Sequence, residues 1–105
     1  MGLLKMEIAW VAPTKESMAF VKKLLENSEG FSWNITIYSP VPVECGECKI
    51  KEISLLKDEL HRYQFVHYFT EGKFTPKRML FGQRVFVSGL DASFDKIIFD
   101  YYRYL

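Results

Sequence analysis

Cysteine is scarce in this sequence, with two residues in a chain of 105, and these two lie close together. One such pair cannot form the framework of bridges that holds small secreted domains together. No stretch approaches the roughly 18 consecutive apolar residues that a membrane-spanning helix needs. Lys5 and Glu7 interrupt the apolar stretch near the N-terminus before it reaches the length of a signal-peptide core. We therefore expect a soluble, cytoplasmic protein that does not bind membranes.

An excess of charge of either sign is also missing. Fourteen Lys and Arg residues stand against thirteen Asp and Glu residues, and the formal net charge is +1. Proteins that bind nucleic acids present clustered basic residues, whereas Lys22 and Lys23 here are followed by Glu26. We therefore expect no nucleic acid as a partner. Hydrophobic residues make up 49% of the chain, which predicts one folded domain over residues 1–105 and not a disordered segment.

Apolar periodicity predicts alternating strands and helices in the first half of the chain. Met6 to Ala12 and Trp33 to Tyr38 have the apolar and alternating patterns of strands. Helical spacing of apolar residues lies between them. Thr14 is positioned to cap that helix, and Ser17 stands where a capping box normally has Glu, which leaves the box incomplete.

In the second half of the chain, the alternation of strands and helices is less clear. A helical stripe runs from Ile50 to Leu60, and Tyr63 to Thr70 is a third strand or the end of that helix. Two short strands, Lys77 to Phe81 and Arg84 to Ser88, flank the turn residues Gly82-Gln83 and indicate a hairpin. Asp91 or Ser93 can cap a final helix.

The predicted order is therefore β-α-β-α-β-β-β-α, an α/β fold. Alternation of the first four elements favours a parallel βαβ core, and the hairpin adds antiparallel strands. We expect a mixed central sheet with helices on both faces.

The two cysteines form the motif Cys45-Gly46-Glu47-Cys48, which stands just before the predicted helix. Two intervening residues allow one turn of chain to bring both sulfurs within bonding distance. The positive end of a helix favours the thiolate, which is the nucleophile in disulfide exchange. The pattern predicts a redox pair in which Cys45 attacks and Cys48 resolves the mixed disulfide. We expect no cofactor and no metal at this site.

Two other interpretations stay open. In the first, the cysteine pair supplies two of the ligands of a zinc site. Zinc normally takes four ligands, and the spacing of His61 and His67 does not fit the usual pattern for the other two. Alternatively the cysteines have no redox role, and the aromatic run from Tyr63 to Phe69 is a protein-binding surface.

Residues Ile35 to Leu56 resemble the strand, active-site loop and helix of the thioredoxin and glutaredoxin families. Thr75-Pro76 and the hairpin, glycine and helix that follow extend the resemblance over nearly the whole chain. It implies a single thioredoxin-like domain and a thiol–disulfide oxidoreductase acting on protein disulfides or, weakly, on a small thiol such as glutathione. It also implies that Pro76 is a cis-proline facing the cysteine pair, and that Thr75 and Pro76 bind the substrate.

Overall fold

The computed structural model describes residues 6–26, 33–40, 49–70 and 84–103, and they form an α/β domain. Short 3₁₀ turns, Ile53–Leu55 and Leu60–Arg62, flank the second helix. The elements along the described residues are β1 (Glu7–Val11), α1 (Lys15–Glu26), β2 (Asn34–Ser39), β3 (Lys49–Glu52), α2 (Leu56–Glu59), β4 (Phe65–Phe69), β5 (Arg84–Ser88) and α3 (Phe94–Tyr102).

The described strands form one sheet in the order β3-β2-β1-β4-β5, and every pairing is parallel. β1 lies at the centre, where Ile8 is paired with Ile35 of β2 on one side and with Phe65 of β4 on the other. The expected mixed sheet is therefore wrong for these strands. α1 returns the chain to the starting edge between β1 and β2, and α2 does so between β3 and β4. The connections from β2 to β3 and from β4 to β5 contain residues 41–48 and 71–83, which lie outside the described residues. The predicted strand from 77 to 81 and the hairpin turn at 82–83 lie outside the described residues.

The segment after Cys48 is a strand where a helix was expected. Lys49–Glu52 forms β3 at the sheet edge, with Ile50 paired to Ile37 of β2. Helical turns begin only at Ile53. The apolar spacing from Ile50 onward fits a helix, but pairing with an existing strand overrides so short a local pattern. The order along the described residues is accordingly β-α-β-β-α-β-β-α.

The start of α1 is fixed by a reciprocal pair of side-chain hydrogen bonds. The Ser17 backbone N–H donates to Thr14 Oγ1 at 3.0 Å, and the Thr14 N–H donates to Ser17 Oγ at 2.8 Å. Ser17 thus does what Glu does in a capping box, so the box that the sequence left incomplete is complete. Ser17 is fully buried, which explains why a short side chain stands there.

Helices cover both faces of the sheet, as the sequence predicts. Alternate residues of the central strands point to opposite sides, so that Trp10 faces α1 and α3 while Val11 faces α2. The larger cluster is rich in aromatic rings, with Phe65 stacked on Tyr101 at 5.0 Å between ring centroids. Both faces of β1 are therefore buried, which accounts for its continuous apolar run.

Within residues 6–26, 33–40, 49–70 and 84–103, no helix has the length and apolar character needed to cross a membrane.

Candidate functional site

The four residues that the sequence predicts as the site, Cys45, Cys48, Thr75 and Pro76, all lie outside the described residues. The segment that carries the cysteines joins Ser39, the last residue of β2, to Lys49, the first residue of β3. Because Lys49 begins a strand, the expectation that a helix follows directly after the motif is wrong. The positive helix end invoked for the Cys45 thiolate is therefore not supplied by residues 49–52.

The parallel sheet brings a different set of residues to one edge. All five described strands end at the same edge, so the residues that follow them meet there. Several of these carry hydroxyl groups on strands that are distant in sequence: Thr14 after β1, Ser39 ending β2, Thr70 after β4 and Ser88 ending β5. This carboxyl edge is thus lined by polar groups above an apolar sheet.

The strand order reverses between β1 and β4. From β1 the chain moves outward through α1 to β2 and β3, and α2 then returns it across the opposite face to β4. Connections that leave neighbouring strands toward opposite faces open a crevice at the carboxyl edge, and open parallel sheets bind ligands in that crevice. Strand order here reverses between β1 and β4, so this rule puts the crevice between their carboxyl ends, where α1 begins. The connection that leaves β4, residues 71–83, lies outside the described residues.

The turn at the start of α1 decides how a ligand can approach the crevice. Ala12, Pro13 and Thr14 connect β1 to the helix, and none of them is glycine. The glycine-rich turn that lets a pyrophosphate lie directly against the backbone is therefore absent. What this end offers is the N–H groups of Lys15 and Glu16, which the bonds between Thr14 and Ser17 do not use, and the exposed Lys15 side chain. The Glu16 carboxylate beside it acts against an anion.

A buried polar chain joins three strands to α3. The Trp10 indole N–H donates to the Tyr101 hydroxyl at 2.9 Å, and that hydroxyl lies 2.7 Å from His67 Nδ1. The other ring nitrogen, His67 Nε2, lies 2.7 Å from Ser88 Oγ. Trp10, His67 and Tyr101 are each at most 1% exposed, whereas Ser88 is half-buried at the carboxyl edge. We call these four residues the His67 relay.

Burial sets the charge and the proton position in the His67 relay. Desolvation lowers the pKa of His67 to about 3, so the imidazole is neutral at physiological pH. We assign the phenol proton to the bond with Nδ1, because the buried Tyr101 hydroxyl that accepts from Trp10 then also donates to a partner. The remaining imidazole proton is then on Nε2, which donates to Ser88 Oγ. Each hydrogen bond of the relay is therefore donated in the same direction, from Trp10 through Tyr101 and His67 to Ser88. The Ser88 hydroxyl proton can then be donated to a group outside the relay.

The contact between Ser88 and His67 has the length of a nucleophile–base pair but the wrong proton arrangement. A general base must accept the hydroxyl proton, and its pKa works best near the operating pH. His67 already carries a proton on the nitrogen facing Ser88, and its pKa is about 3. The geometry therefore assigns His67 the task of orienting Ser88, not of activating it.

A second polar cluster lies on the α2 face. Tyr38 donates to Glu59 at 2.6 Å, the Tyr63 hydroxyl lies 2.6 Å from that of Tyr38, and Glu59 also pairs with Lys51 and Arg62. The Tyr38 hydrogen bond, followed by the Lys51 contact, holds the pKa of Glu59 below its usual value. Burial, then the Glu59 contact, raises the pKa of Tyr38. This cluster ties β2 and β3 to the helical segment after β3.

A metal site is not present among the described residues, where no three His, Cys, Asp or Glu side chains lie close enough to hold an ion. His67, one of the two histidines weighed as a ligand, uses both ring nitrogens in the relay. His61 lies exposed in the turn after α2.

Sequence reasoning missed the His67 relay because its members come from both ends of the chain. One signal was available: His67 interrupts the apolar run from Phe65 to Phe69 at an inward-facing position. A titratable residue in such a position needs a hydrogen-bonding partner inside the fold. The pattern does not tell which residues those partners are.

The chain matches no protein-family model, no curated protein and no solved structure.

Proposed function

We propose that this domain binds a nucleotide in the crevice between the carboxyl ends of β1 and β4. The observation that carries the proposal is the reversal of strand order between these two strands in an all-parallel sheet. The link from strand order to ligand position is a property of open α/β sheets as a class. The residues at the carboxyl edge of the sheet supply the groups that would contact the ligand.

The start of α1 is suited to the phosphate of such a ligand. Helix N-termini attract anions through free N–H groups and the positive end of the helix dipole. Lys15 places an ammonium group in the first turn, and the bonds between Thr14 and Ser17 define the geometry of that turn. Because the turn lacks glycine, we propose binding of one phosphate group and not the close approach of a pyrophosphate.

The test is a titration of the ¹⁵N-labelled protein with adenosine 5′-monophosphate, followed by amide chemical shifts. We expect shifts at Thr14, Lys15 and Thr70, and Lys15→Gln should weaken binding about two- to five-fold at low salt. Lys22→Gln is the matched control, because it removes the same charge about two turns further along the same helix. Shifts confined to residues away from the carboxyl edge, or equal affinities of the two variants, would contradict the proposal.

A second candidate function is thiol–disulfide exchange by Cys45 and Cys48. The two-residue spacing of the only cysteines supports it. It rests on the motif and on the thioredoxin resemblance, and the all-parallel described strands depart from the mixed sheet expected with that resemblance. In this candidate Thr75 and Pro76 hold the extended substrate segment and Cys45 is the attacking thiol.

Its test compares wild type with Cys45→Ser in the reduction of a disulfide-bonded protein such as insulin. We expect the wild type to cycle between a dithiol and an intramolecular disulfide, two mass units apart on the peptide that contains both cysteines. The Cys45→Ser variant should lose the reductase activity. Equal rates for the two proteins, or no mass change after mild oxidation, would remove this candidate.

A further inference from the structure

A cavity of about 380 Å³ lies at the carboxyl end of β5, against α3. We call it the α3 cavity. The turn after β5 forms one wall, and the first turns of α3 form the other. Its polar lining residues are Ser88, Asp91, Ser93, Lys96 and Asp100.

The His67 relay ends in this cavity. His67 Nε2 lies 2.7 Å from Ser88 Oγ, and in the tautomer assigned above it donates to that oxygen, so the serine hydroxyl is held at the cavity wall with its own proton available. Ser93 is held as well, because its Oγ accepts the Lys96 N–H as the N-cap of α3. Two hydroxyl donors are thus fixed by bonds that leave their protons free for a bound molecule.

The charges of the cavity select against an anion. Two carboxylates, Asp91 and Asp100, face one ammonium group, that of Lys96. A phosphate or carboxylate group would meet more negative than positive charge there. Carboxylates accept hydrogen bonds from hydroxyl groups, and serine and lysine donate to hydroxyl oxygens. A neutral ligand with neighbouring hydroxyls satisfies both kinds of group.

We propose that the α3 cavity binds a vicinal diol, and that in the bound nucleotide this diol belongs to the ribose. The identification with ribose rests on the function proposed above, whereas the diol chemistry rests on the cavity. Neighbouring strands lie about 4.8 Å apart, so the end of β5 is two spacings, about 10 Å, from the end of β1, where α1 begins. A phosphate at α1 and the diol of the sugar attached to it span that separation when a hydrogen bond of about 3 Å is added at each end.

The experiment uses three probes: adenosine 5′-monophosphate, its 2′,3′-dideoxy analogue, and methyl β-D-ribofuranoside. Amide shifts at Ser88, Gly89 and Asp91 report on the cavity, and those at Thr14 and Lys15 report on the crevice. We expect the nucleotide to shift both sets, and the dideoxy analogue to bind about ten-fold more weakly and to shift only the crevice set.

Variants assign the effect to the cavity. Ser88→Ala should weaken binding of the nucleotide about two- to ten-fold and leave binding of the dideoxy analogue unchanged. Asp91→Asn changes an exposed side chain without touching His67 and should act in the same direction, so the test does not depend on one variant folding. Ser54→Ala, on the other side of the molecule beside α2, is the control and should change neither affinity.

The outcomes separate the two proposals. If the nucleotide and its dideoxy analogue bind with equal affinity and the Ser88→Ala and Asp91→Asn variants change neither affinity, the proposed diol site is wrong. The proposed nucleotide site between β1 and β4 is then unaffected. If only the ribofuranoside binds, with shifts at the cavity, the diol site stands and the nucleotide function is wrong. If no probe binds, both are overturned.

Discussion

His67 makes the stability of the domain depend on pH. Its pKa is about 3 in the fold and near 6.5 in an unfolded chain, so between these values the unfolded state binds a proton that the folded state does not. This contribution to stability is complete above pH 6.5 and falls as the pH is lowered, by about 1.4 kcal/mol per unit. We expect the free energy of unfolding in urea to drop by about 2 kcal/mol between pH 6.5 and pH 5.

The histidine can be separated from other titrating groups. Glu52 and Glu59 have pKa values below the ordinary 4.5, so their effects belong to more acidic solutions. His67→Gln should abolish the slope between pH 6.5 and pH 5, whereas His61→Gln, at an exposed position, should preserve it. A wild-type slope that survives in His67→Gln would show that other groups cause it.

The Tyr101 hydroxyl is the central member of the relay, because it bonds both Trp10 and His67. Tyr101→Phe keeps the ring packing but leaves two buried polar groups without a partner. We expect it to lower the free energy of unfolding by about 2–4 kcal/mol. Tyr102→Phe is a control at the next position, where the side chain is 59% exposed, and should change stability by less than about 0.5 kcal/mol. Equal losses in the two variants would contradict a structural relay.

At the level of elements, the paired bonds between Thr14 and Ser17 give α1 a defined start. Thr14→Ala removes the acceptor of the Ser17 N–H, and Ser17→Ala removes the acceptor of the Thr14 N–H. Either change also removes the bond between the two hydroxyls at 2.9 Å, so the two single losses overlap. We expect each single change to cost about 1–2 kcal/mol. The double variant should cost clearly less than the sum of the singles, measured by urea unfolding. Strict additivity would show that the two bonds act independently.

The sequence correctly predicts the elements whose own residues have the apolar or alternating pattern typical of a strand or helix. Arg84–Ser88 is a strand as predicted, and the segment from Tyr63 to Thr70, left open between strand and helix end, contains the strand Phe65–Phe69. The prediction of a helix at β3 is wrong because its four residues are too few to show a strand pattern, whereas the helical spacing of apolar residues continues to Leu60. Its conformation comes from its neighbour β2, which local sequence does not reveal.

The candidate site was harder to predict than the elements, for a similar reason. The crevice depends on strand order, and strand order depends on which connection crosses which face of the sheet. Neither β1 nor β4 contains a sequence motif that indicates this strand order. In contrast, Cys45-x-x-Cys48 is visible in the sequence, and its role stays a prediction because it lies outside the described residues.

At the scale of the whole molecule, the arrangement of partners around β1 has a consequence for how the chain folds. β1 is the first strand, yet one of its two neighbours, β4, ends only at Phe69. While β1, α1 and β2 are together without β4, one edge of β1 has open backbone N–H and C=O groups and apolar side chains on both faces. Such an edge pairs readily with other chains. We therefore expect chains whose folding is interrupted before β4 docks to aggregate, and the pairing of β1 with β4, from Ile8–Phe65 to Val11–Tyr68, to close that edge.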